Sequence, residues 1–146
     1  MTAPSPTRRI LVVDDDPTCR ALLEAIFESH GFAVTATDSV IGASALLAQS
    51  RPHVILLDLA LPYRSGASWL AQLKADPETA GIPVVILSAA PDVLPRERRG
   101  LAQAIIRKPF RTATLLDTVQ SLCIDRAPTG PTLLNDSVSI QPLGLL

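Results

Sequence analysis

Residues 54–57 read Val-Ile-Leu-Leu, followed at once by Asp58 and then by the backbone breakers Pro62 and Gly66. Four apolar residues are too few for a helix. They also do not alternate with polar residues, as a half-exposed strand would. Such a run fits a strand buried on both faces, the condition of a strand inside a parallel sheet. Asp58 then falls at the carboxyl edge of that strand, where open α/β sheets hold their ligands. Pro62 and Gly66 turn the chain into a loop before the next helix. On this stretch alone, Asp58 reads equally well as an ordinary strand-end or cap residue and as a functional carboxylate.

The same pattern recurs along the chain. A strand is predicted over 9–13, with Ile10–Val13 as its apolar run, ending in Asp14, Asp15 and Asp16. Asp16 suits a helix N-cap and Pro17 a first helical position. The helix over 17–29 carries Cys19, Leu22, Leu23, Ile26 and Phe27 on its inward side and stops at Gly31. Next comes a strand over 33–37, then a helix capped by Asp38 or Ser39 and running to Gln49 with Leu46 and Leu47 inward. The strand over 53–58 is followed by a helix over 67–75 that buries Trp69, Leu70 and Leu73. A fourth strand covers 83–87 and ends in Ser88. Pro91 and Pro95 disfavour a long helix after it and allow a short one from Pro95 to about Gln103. A fifth strand covers 104–107, ends in Lys108-Pro109, and precedes a helix over 112–123.

Strand and helix alternate five times, which specifies an α/β fold: a doubly wound, five-stranded parallel sheet with helices on both faces. Right-handed crossovers put the carboxyl ends of all strands on one edge. Asp14, Asp15, Asp16, Asp58, Ser88 and Lys108 are the residues at those ends. The chain of 146 residues is long enough for one domain with a core. A net charge of −1 argues against a general nucleic-acid binder. No run of about 18 residues is free of charge, so no membrane span is expected. The polar start MTAPSPTRR is not a signal peptide, and residues 1–7 read as a flexible arm. Cys19 and Cys123 lie far apart inside helical stretches and read as reduced core residues of a cytoplasmic protein. His30 and His53 have no partners at metal-ligand spacing and read as structural. Residues 125–146 hold three prolines and too little chain for a helix-turn-helix. They read as a flexible tail with no output domain, although the pairs Leu133-Leu134 and Val138/Ile140 could dock on a sheet edge or on a partner.

Converging carboxylates repel one another, and a hard divalent cation such as Mg2+ is their natural neutraliser. A lysine and a hydroxyl facing that cluster suit a phosphoryl group, whose oxygens the ammonium and the hydroxyl can hold. One carboxylate then serves as nucleophile and becomes an acyl phosphate. Asp58, alone at its strand end, is the best candidate. Asp16 reads as a cap rather than a ligand. Arg96, Glu97, Arg98 and Arg99 read as a solvated face.

LVVDDDP at 11–17, LLDLALPYRSG at 56–66, VVILSA at 84–89 and KPF at 108–110 stand in order at these strand ends. Together they resemble the receiver domain of two-component response regulators, over about residues 8–124. The resemblance implies a flavodoxin-like strand order 2-1-3-4-5 and a cis peptide between Lys108 and Pro109. It also implies Asp58 as phosphoacceptor, with Ser88 and Lys108 contacting the phosphoryl group. Asp14, Asp15 and Asp58, with the backbone carbonyl of Ala60, would hold Mg2+. The implied donor is a histidine kinase or a histidine phosphotransfer protein, and the implied output is contact with a downstream protein. Direct nucleic-acid or membrane binding is not expected, and the oligomeric state is a monomer or a phosphorylation-dependent dimer. On this reading the chain is not an enzyme but a phosphoacceptor that assists its own phosphotransfer and dephosphorylation.

Three positions depart from the family pattern. Ile105 stands where a tyrosine or phenylalanine is usual, the fourth helix is shortened and carries prolines, and Ala60 and Ala90 are both small and apolar. A degenerate receiver that binds partners without phosphorylation is the alternative, and a phosphorylation assay with Mg2+ separates the two. An aspartyl-nucleophile phosphatase is disfavoured because Ala60, two residues after Asp58, leaves no general acid there.

Overall fold

Each apolar run becomes a strand because alternate residues can be buried on opposite faces of one sheet. The computed structural model describes residues 7–123 and 139–140. β1 (Arg9–Val13), β2 (Ala33–Thr37), β3 (Val54–Leu57), β4 (Val84–Ser88) and β5 (Ala104–Arg107) are parallel and lie in the order β2-β1-β3-β4-β5. That is the expected architecture. One addition was not expected as such: β6 (Ser139–Ile140) pairs antiparallel with β5 and extends the sheet to six strands. Residues 1–6 of the arm expected over 1–7 and most of the tail expected over 125–146 lie outside the described residues.

The alternation is visible in the core. Leu11, Val13, Ile55, Leu57, Val84 and Ile86 face one side, where α2 (Val40–Gln49) and α3 (Gly66–Ala75) cover them. Ile10, Val12, Val54, Leu56, Val85 and Leu87 face the other, beneath α1 (Pro17–Glu28) and α4 (Thr112–Leu122). Trp69, Leu70 and Leu73 are buried as expected. Leu22 is not: it is 49% exposed. The buried stripe of α1 runs through Cys19, Leu23 and Phe27, four residues apart, and Leu22 falls on its flank.

Caps follow the side chains. Asp16 accepts from the amide of Thr18 at 3.0 Å and starts α1. Ser39, rather than Asp38, caps α2 by accepting from the Gly42 amide. Gly31, at φ 87°, takes the left-handed turn after α1 that a glycine allows without steric cost. His53 has a structural role: its Nδ1 accepts from the Arg9 amide at 3.0 Å, pinning the start of β1 beside β3. Between β4 and β5 there is no α-helix. The prolines leave two 3-10 turns, Pro91–Val93 and Arg96–Leu101, and Leu94 between them is fully buried. No helix among the described residues is long and apolar enough to cross a membrane.

Candidate functional site

The site is built where the strand ladder runs out. The amide of Asp14 donates to the Thr37 carbonyl at 3.1 Å, that of Asp58 to the Val13 carbonyl at 2.9 Å, and that of Lys108 to the Ser88 carbonyl at 2.9 Å. Each residue at a strand end is therefore fixed by the strand beside it. Parallel pairing brings ends that are distant in sequence to one edge.

Asp14 is 2% exposed and Asp58 is 7% exposed, so neither carboxylate has much water to stabilise it. Lys108 supplies the compensation. Its Nζ donates to Asp14 Oδ2 at 2.6 Å and to Asp58 Oδ2 at 3.3 Å. The remaining oxygens accept from the backbone: Asp14 Oδ1 from the Asp16 amide at 2.9 Å, Asp58 Oδ1 from the Ala60 amide at 3.2 Å. Burial by itself would lower the pKa of Lys108. The hydrogen bond and charge of Asp14, with the charge of Asp58, outweigh it and hold the ammonium protonated above the ordinary lysine value. The peptide between Lys108 and Pro109 is cis.

Carboxylate oxygens of Asp14, Asp15 and Asp58 lie within 4.8 Å of one another, with Asp15 exposed. Asp16 takes no part, because its carboxylate is engaged as the cap of α1. Three carboxylates facing one ammonium leave two negative charges uncompensated, the charge of one divalent cation. All-oxygen donors, few in number and open to solvent at Asp15, suit Mg2+, which keeps several waters. Ser88 is 1% exposed at the end of β4, its Oγ accepting from the Ala90 amide at 3.1 Å. Ala60 and Ala90 are exposed and small, and crowd the opening least of all side chains except glycine.

Three contributors were not singled out from the sequence. Arg20 donates from Nη1 to the Asp14 carbonyl at 2.8 Å and steadies the acidic loop from the first turn of α1. Cys19 is more than a core residue. Burial and a hydrogen bond to Asp14 push its thiol up to about 11, so it stays protonated beside the carboxylate. Gly66, noted only as a loop breaker, packs its α-carbon against the backbone of Asp58 and Leu59. An added Cβ would collide with the Asp58 carbonyl oxygen. Between them, Tyr63 sits in the left-handed region at φ 68°, in a tight turn closed by the Arg64 amide on the Pro62 carbonyl at 2.7 Å. Its side chain is 99% exposed. Pro62 and Gly66 are the only sequence signals of that turn; nothing marked Arg20.

Comparison with known proteins agrees with the geometry. The family model described as response regulator receiver domain matches residues 10–120. Protein PilH of Pseudomonas aeruginosa is 36% identical over 117 residues, which cover 78% of this chain and 96% of PilH. The DNA-binding regulator RpaA of Synechocystis is 34% identical over 124 residues, 82% of this chain but only 52% of RpaA. The solved receiver domain of a sensor histidine kinase from P. aeruginosa PAO1 superposes with a TM-score of 0.70 at 27% identity. The match covers 81% of this chain and 98% of that domain, whose structure has a magnesium ion coordinated in the active site cleft.

Proposed function

This chain belongs to the response regulator receiver domain family of two-component systems, and from that premise we propose that it is a phosphoacceptor, modified on Asp58 with the help of Mg2+. The observation that carries the reading is Asp58 itself: a buried carboxylate at a strand end, one oxygen held by the Ala60 amide, the other facing the Lys108 ammonium. Asp14 and Asp15, with Asp58 and the Ala60 carbonyl, would hold the Mg2+. Bound there, the ion supplies positive charge to phosphoryl oxygens.

The step is a phosphoryl transfer from a phosphohistidine of a histidine kinase or a histidine phosphotransfer protein. An Asp58 oxygen attacks phosphorus and forms the O–P bond of an acyl phosphate. The N–P bond breaks, and the leaving imidazole nitrogen takes a proton from solvent. Lys108 offsets charge on the transferred group, and for that its ammonium must shift its contact from Asp58 toward a phosphoryl oxygen. The Ser88 hydroxyl donates to another. The product is a modified protein, not a released one, so the chain is not an enzyme toward an outside substrate, although it assists its own phosphotransfer and dephosphorylation. Its signal passes by protein contact.

Incubation with a small acyl phosphate and Mg2+, followed by intact-mass measurement, tests the reading. One phosphoryl group should add to the wild type and none to Asp58→Asn. An unmodified wild type would support the alternative of a phosphorylation-independent binding module. Modification of the variant would move the acceptor elsewhere.

A further inference from the structure

β5 would be the edge of the parallel sheet, and an edge strand presents unpaired N–H and C=O groups that invite another strand. Here the edge is taken. Ser139–Ile140 lies antiparallel to it, with Ile140 opposite Ala104 and Ser139 opposite Ile105. Ser139–Ile140 lies beyond residues 10–120, which the receiver family model matches, whereas β5 lies within them. The sequence around it suits a short strand: β-branched Val138 and Ile140 alternate with serines, and Pro142 has no N–H to offer a longer ladder. The neighbouring cover is thin. The segment that precedes β5 is a 3-10 turn rather than a full helix, and Ile105 is only partly buried.

We propose that the outer edge of β5 is a strand-binding site whose resident occupant is the C-terminal segment of this same chain. The segment acts as a cover: a partner that recognises this domain by adding a strand to β5 must displace it first. The affinity is set in cis, by main-chain hydrogen bonds over a short ladder and the effective concentration of a tethered strand. A short ladder of this kind exchanges readily, as an occupant that gives way to a partner must.

The test uses the full chain carrying both Ser139→Pro and Ile140→Pro, which remove the N–H groups the ladder needs. Amide hydrogen exchange across Ala104–Ile106 should quicken by about tenfold or more, while β1 and β3 keep their protection. A synthetic peptide of residues 133–146, added to that variant at about the millimolar concentration that a tether supplies, should restore the slow exchange. Unchanged exchange at β5 would overturn the proposal, as would failure of the peptide to restore it. Acceleration that spreads into β1 and β3 would overturn it too, making β6 part of the core rather than an occupant. Wild-type protection that rises with protein concentration would assign the strand to a second copy and refute the cis arrangement.

Discussion

Lys108 and Asp14, 94 residues apart in the chain, are joined by a 2.6 Å ion pair in a pocket where the Asp14 side chain is 3% exposed. The pair is a structural element as well as a part of the site. Lys108→Met would leave Asp14 and Asp58 facing each other without compensation. Losing one partner of such a buried pair costs about 3–5 kcal/mol. Unfolding at neutral pH should show that loss, and added Mg2+ should recover part of it by replacing the missing positive charge. A variant as stable as the wild type without Mg2+ would contradict the role.

Asp15 and Asp16 are neighbours with different tasks. Asp15→Ala should abolish Mg2+ binding and slow phosphorylation. Asp16→Ala should mainly remove the cap of α1, at about 0.5–2 kcal/mol. Titration with Mg2+ followed by NMR shifts would separate them; equal losses of affinity would refute the division.

Gly66 admits the start of α3 against the backbone of Asp58. Gly66→Ala forces the Asp58 carbonyl and Leu59 away, so it should cost about 1–3 kcal/mol. It should also slow modification of Asp58, because the carboxylate moves with its backbone. Thermal unfolding and the mass assay together check this. A destabilised variant with an unchanged phosphorylation rate would show that the contact supports the fold alone.

Lys74 makes a pH prediction. Its Nζ donates to the carbonyls of Ala80 and Ile82, and burial pushes its pKa down to about 8 from the ordinary 10.5. Between those values the unfolded chain binds more protons than the folded one, so the Lys74 contribution grows as pH rises from about 8 to 10.5 and is lost as pH falls through 8. The Tm difference between wild type and Lys74→Met should shift in favour of the wild type over that window. A flat difference would mean that the Ala80 and Ile82 carbonyls, with the side-chain amide oxygen of Gln103 at 3.4 Å, hold its pKa up.

The stretch from Pro91 to Leu101 is two 3-10 turns, anchored by the buried Leu94 and tied to β5 by the exposed Arg107–Asp92 pair at 3.1 Å. Short 3-10 segments have poorer hydrogen-bond geometry than a helix. Ile105 has no ring to turn inward, and its branched side chain has few rotamers. Phosphorylation should therefore act mainly on residues 90–103. Hydrogen exchange with and without beryllofluoride would show protection changing there; change in α1 alone would refute it.

The strands, their order of appearance and the residues at their ends were legible in the sequence because both are local. Val54–Leu57 declares a doubly buried strand by its own composition, and Asp58, Ser88 and Lys108 declare themselves by following such runs. Asp16 and Pro17 mark a helix start for equally local reasons. What the sequence left open is what depends on three-dimensional neighbours. The period of α1 admitted Leu22 to its apolar side, and only packing against the sheet chose the stripe Cys19–Leu23–Phe27 instead. Choosing Ser39 over Asp38 as a cap required the backbone path. The proximity of Cys19 to Asp14, the brace from Arg20 and the collision that Gly66 avoids are contacts between segments that no periodicity encodes. β6 is the clearest case: a weak alternation in a proline-bearing stretch became a strand because β5 offered it an unpaired edge, and that edge exists only once the sheet is assembled.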